Sequence, residues 1–123
     1  MIESLADMPA GVTGFRVSGR LSGDELHKFK PTLDKLLESG ADIRIVEVID
    51  SDYEGFGPGG LLEDLKVGFG TVYPHHAAFK RIAIVTDKEW VSHTLHALSW
   101  LVPGEAAVFG LDDLEGAKAW AAG

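Results

Sequence analysis

The sequence has 123 residues, 46% of them hydrophobic and 24% charged, with no cysteine and a formal net charge of −8. That describes one domain, residues 1–123, whose single core rests on packing and not on disulfides. The acidic balance argues against adhesion to nucleic acid or anionic lipid headgroups, both of which need basic surface. No apolar run approaches the roughly 20 residues that cross a bilayer, and Met1 leads into Ile2-Glu3-Ser4-Leu5-Ala6-Asp7 without a secretory pattern, so a cytoplasmic location is expected.

Ile2 to Leu5 reads as a first strand and Pro9-Ala10-Gly11 as a turn, which together predict an opening hairpin. Val12, Phe15, Val17 and Leu21 continue it as a second strand, in which Gly14 and Gly19 mark a bulge or a close backbone approach. Ser22 with Glu25 three residues on is a capping-box pattern. Leu26, Phe29, Leu33, Leu36 and Leu37 then fall on one helical face, with Gly40 as the stop. Pro31 cannot donate to the carbonyl of His27, which predicts a kink or a late start to that helix.

Ile43, Ile45, Val46, Val48 and Ile49 are β-branched and too closely spaced for a helical stripe, so they suit a strand buried on both faces at the centre of a sheet. Leu61, Leu62, Leu65 and Phe69 return to helical spacing, weakened by Gly68 and Gly70. Arg81 to Asp87 is a compact apolar strand; Trp90, Val91, Leu95, Leu98 and Leu101 predict a third helix ended by Pro103-Gly104. Ala106 to Phe109 is a last short strand, and Asp112 with Glu115 opens a fourth helix whose Leu114, Ala117 and Trp120 face the sheet. The expected α/β order is β-β-α-β-α-β-α-β-α, with four helices and a mostly parallel central sheet to which the opening hairpin adds an antiparallel part.

Several segments in this order, Gly14-Phe15-Arg16-Val17-Ser18-Gly19, Tyr53-Glu54-Gly55-Phe56, Arg81 to Asp87 with Glu89-Trp90, and Pro103-Gly104-Glu105 through Phe109, resemble the SpoIIAA-like proteins. The likeness spans almost the whole chain. It implies a small STAS-type domain, similar in fold to the CRAL-TRIO lipid-binding proteins, and a role in binding or regulation without catalysis. STAS regulators that antagonise anti-sigma factors carry a phosphorylatable serine where the helix after the central strand begins. The matching stretch of this chain, Gly57-Pro58-Gly59-Gly60-Leu61, has no hydroxyl, and the nearby Ser51 lies between Asp50 and Asp52, where a phosphate would be repelled.

Asp50, Asp52, Glu54 and Gly55 match the start of a calcium loop, yet Leu61 stands where a bidentate glutamate is required and a strand precedes the loop. A solvated acidic loop reads the same residues without a metal, and no metal or other cofactor is assigned. Between Glu47 and Asp64 there are six acids and no lysine or arginine, so a partner docking there is expected to be neutral or basic. His75 and His76 adjoin one another, and His93 and His96 are spaced to share a helical face, but a zinc site needs more convergent ligands. There is no cysteine nucleophile, no G-x-S-x-G elbow and no phosphate loop.

The apolar residues of the Trp90 helix exceed what one face needs to cover a sheet. Trp90, Ala97, Trp100 and Leu101 lie off its main stripe and, with Phe56, Leu61, Phe69 and Tyr73, are the candidate ligand-binding residues of a pocket beside the central strand. Ordinary core packing is the competing explanation for each of them. The sequence therefore predicts a noncatalytic binding domain for an apolar or amphipathic, lipid-like ligand or a transient peripheral membrane contact. The alternative is a partner-switching regulator that docks on another protein. A homodimer is also compatible with the surplus apolar surface.

Overall fold

The structure, a computed structural model, describes residues 1–40, 42–56, 78–89, 93 and 105–123. Its main sheet has five strands in the order β1-β2-β4-β6-β7, formed by Ile2–Leu5, Val12–Val17, Ile43–Ile49, Phe79–Val85 and Glu105–Phe109. β1 runs antiparallel to β2, while β2, β4, β6 and β7 are mutually parallel. The short strands β3 (Arg20–Leu21) and β5 (Gly55–Phe56) pair in parallel as a separate two-stranded sheet.

The expected order of five strands and four helices is corrected on two counts. Among the described residues there are seven strands and two helices, α1 (Gly23–Glu38) and α2 (Leu114–Ala122). The helix expected around Leu61–Phe69 lies outside the described residues, as does the one expected around Trp90–Leu101 apart from His93, which is helical. The second strand, read as continuous to Leu21, divides because Gly19 takes a φ of 58°, a left-handed conformation that turns the chain out of the main sheet. Gly14 is the close approach: a Cβ there would lie 2.8 Å from the Met8 side chain.

β4 is central because both of its side-chain registers are mainly apolar, interrupted only by Arg44 on one face and Glu47 on the other. Val46 and Val48 pack with Val12, Ala83, Val85 and, from α2, Ala117 and Ala121. Ile43 and Ile45 point to the other face, with Phe15, Phe79 and the α1 residues Phe29, Leu36 and Leu37. Ile49 on that same face joins Val17, Leu21, Leu26 and Tyr53. Of the described helices, one packs on each face, and Val46, fully buried, lies between them.

Ser22 caps α1 by accepting from the Glu25 N–H at 3.2 Å. The box is half made, since the Glu25 carboxylate instead lies 2.9 Å from the Met1 ammonium. Pro31 sits inside α1, and the helix starts at Gly23 without delay. Phe29, two residues before it, meets Phe15 edge-on with ring centroids 4.7 Å apart, so burial of this face outweighs the one backbone bond a proline forfeits. Gly40, at φ 71°, ends the helix as expected.

Candidate functional site

The parallel strands follow one another across the sheet as β2, β4, β6 and β7 without a reversal of order. Ligands of open α/β sheets enter where the order reverses. The described strands form no such crevice, so any site at their carboxyl ends has to be built from the loop that leaves β4. That loop, Asp50 to Glu54, is tied to three other segments.

The Asp50 N–H donates to Val17 O at 2.9 Å, and the Tyr53 N–H returns to Asp50 O at 3.0 Å to close a turn. Tyr53 is buried against Val17, Leu21 and Leu26, which anchors the turn to the α1 face. Glu54 N donates to Gly19 O at 2.7 Å, and Gly55, at φ 102°, leads the chain into β5 beside Arg20. From the β6 side, the Lys88 ammonium donates to Ser51 O at 2.7 Å. Lys88 is itself placed by its N–H, which donates to the hydroxyl of buried Thr86 at 3.0 Å, while Thr86 N donates to Phe109 O of β7.

The acids of this loop do not converge. Asp50 accepts from the Ser51 N–H at 2.9 Å and its other oxygen lies 4.0 Å from Arg16 Nε. Asp52 accepts from Gly19 N at 3.3 Å, and Glu54 accepts from Arg20 Nε at 3.1 Å. Three carboxylates engaged with separate partners do not make a calcium shell, whose oxygens must share one centre. Among the described residues no group of three or more histidines, aspartates or glutamates is placed to hold a metal ion.

The charge of the loop also differs from the one read along the stretch. Arg16 and Arg20 arrive from β2 and β3 to lie beside Asp50 and Glu54, and Lys88, from the turn after β6, donates to the loop backbone at Ser51 O. Sequence reading missed these cations because each lies more than thirty residues from its loop contact, as the 34-residue separation of Arg20 and Glu54 shows. Ser51 is exposed, with its carbonyl taken by Lys88.

Of the sequence-predicted ligand residues, Phe56 has its backbone placed in β5. Leu61, Phe69, Tyr73, Trp90, Ala97, Trp100 and Leu101 lie outside the described residues, as do His75, His76 and His96. His93 is exposed.

An apolar feature not singled out from sequence lies on the flank of the sheet. Register pairs Ile82 with Ala106 and Ile84 with Val108, and the parallel ladder puts all four on the same face as Ile45, the α1 face. All four are only half-buried, in contrast to Ile43, Ile45 and Val46 at the centre. β6 and β7 are apolar at consecutive positions, Ile82 to Val85 and Ala106 to Phe109, so no alternation along the sequence marked which face was left open.

Residues 12–122 match the family described as SpoIIAA-like. The chain is also similar to the crystal structure of an uncharacterized protein from the DUF3478 family with a SpoIIAA-like fold, from Shewanella loihica PV-4. That similarity has a TM-score of 0.71 and 26% sequence identity, over 97% of this chain and 92% of that one. No curated protein matches the sequence.

Proposed function

The chain belongs to the SpoIIAA-like family, and from that membership we propose that it is a noncatalytic STAS-like binding domain whose ligand is apolar or amphipathic. The observation that carries this reading is the half-buried flank formed by Ile82, Ile84, Ala106 and Val108 on one face of β6 and β7. Apolar area left partly in water is worth about 25 cal/mol per Å² when a guest covers it, which makes such a flank a natural contact for a hydrocarbon chain or an apolar protein surface. The surplus apolar residues of the sequence between Trp90 and Val102 add to the supply of greasy contacts.

Native mass spectrometry of protein purified from cells tests it. A retained lipid-like mass, lost in an Ile84→Asp variant that still unfolds cooperatively, is the expected result. Protein that is always empty and does not sediment with liposomes rejects the lipid-like ligand. The partner-switching alternative rests on the family and predicts instead that affinity capture returns one reproducible protein, weakened by Trp100→Ala.

A further inference from the structure

We propose that the free edge of β1 and the first turns of α1 form a second site, a docking cleft for an extended peptide strand that carries an apolar and an acidic side chain two residues apart. β1 ends the five-stranded sheet, so one of its sides has no strand neighbour among the described residues. Hydrogen bonding fixes which groups face that side. Ser18 N donates to Met1 O at 2.9 Å and Met1 N to Ser18 O at 2.6 Å, which makes Met1 and Ser18 a bonded pair. Bonded pairs recur at every second residue of an antiparallel ladder. Glu3 with Arg16 and Leu5 with Gly14 are therefore bonded pairs too, and Ile2 and Ser4 aim their N–H and C=O groups outward.

Ile2 and Ser4 also line a cleft of about 360 Å³, together with Met1, Glu25, Lys28, Phe29 and Thr32. A strand bonded to Ile2 and Ser4 would lay alternate side chains into it, roughly 7 Å apart. Ile2 and Phe29 offer an apolar floor. The Glu25 carboxylate already faces the Met1 ammonium, so the charge left uncompensated is Lys28, exposed and with no ion-pair partner among the described residues. That asymmetry selects an acidic side chain over a basic one. The strand Ile2–Leu5 has no proline, lysine or bulge to blunt its edge, and its single charge is that of Glu3. A second copy is disfavoured, because pairing Ile2 with Ser4 of the copy sets the two Glu3 side chains directly opposite.

The test is an NMR titration of the full chain with the blocked pentapeptide Thr-Val-Thr-Glu-Thr, reading amide shifts and hydrogen exchange. Expected are slowed exchange of the Ile2 and Ser4 N–H groups and shifts confined to β1 and residues 25–32. The matching peptide with lysine for glutamate should bind about threefold more weakly, the size of one exposed charge pair, and Lys28→Glu should reverse that order. Ser4→Pro removes only the outward donor, because Ser4 makes no ladder bond to β2, and should abolish the response while the fold persists. No change at Ile2 and Ser4 up to millimolar peptide overturns the proposal. So does an equal response to both peptides, or protection that rises with protein concentration alone, which would mean self-pairing.

Discussion

The two ends of the parallel sheet use arginine differently. At the amino end, Arg44 Nη1 donates to Ala121 O at 2.7 Å and Arg81 Nη1 to Trp120 O at 2.6 Å, both partly buried. These are the last-turn carbonyls of α2, which have no partner within the helix and carry the negative end of its dipole. At the carboxyl end, Arg20 meets Glu54 at 3.1 Å, but their side chains are 66% and 65% exposed. A guanidinium that satisfies an orphan carbonyl beside a core stabilises the fold. The same group in an exposed ion pair mainly sets the direction of a loop, since water screens most of its attraction.

The largest effect should follow from Arg81→Ala. Arg81 caps α2, stands over the Trp120 ring with 5.1 Å to its centroid, and lies 3.3 Å from Glu105 of β7. Losing a charged hydrogen bond and a cation–π contact should cost about 2 kcal/mol, read as a lower urea midpoint with an unchanged slope. Arg81→Lys should recover only part of that, because an ammonium cannot keep the planar fork over the ring. A wild-type midpoint in Arg81→Ala would remove the contrast between the two ends. Arg44→Ala, which loses the carbonyl bond alone, should cost about 1.5 kcal/mol in the same titration. If it exceeds Arg81→Ala, the ring contact contributes nothing measurable.

The same contrast marks what the sequence made legible. β4 was readable because its β-branched residues fill both registers around Arg44 and Glu47, and α1 because its stripe ends at a glycine that takes a positive φ. The start of α2 was legible to within two residues, but Asp112 and Glu115 do not form the expected cap. Asp113 holds the cap position without a side-chain bond, and Glu115 pairs with Lys118 at 3.2 Å. β3 and β5 are two residues each, too short for any period to show, and exist because Gly19 and Gly55 turn the chain so that they meet. The acids of the loop after β4 were visible, whereas the cations that divide them among separate partners come from distant positions. Pairing of that kind depends on topology, which local pattern does not carry.

The smallest effect belongs to the exposed end, and it is the one that salt resolves. Glu54→Gln keeps the shape of the side chain and removes the charge facing Arg20, while the Glu54 N–H still donates to Gly19 O at 2.7 Å. Its cost should be below about 0.5 kcal/mol and should vanish near 1 M salt, where the screening length falls to about 3 Å. Arg81→Ala should keep most of its cost at the same salt, because the bond from Arg81 to Trp120 O is partly buried and is not an ion pair. Equal salt sensitivity of the two variants would mean that the amino-end arginine acts through its exposed partner Glu105, and the distinction between the two ends of the sheet would fail.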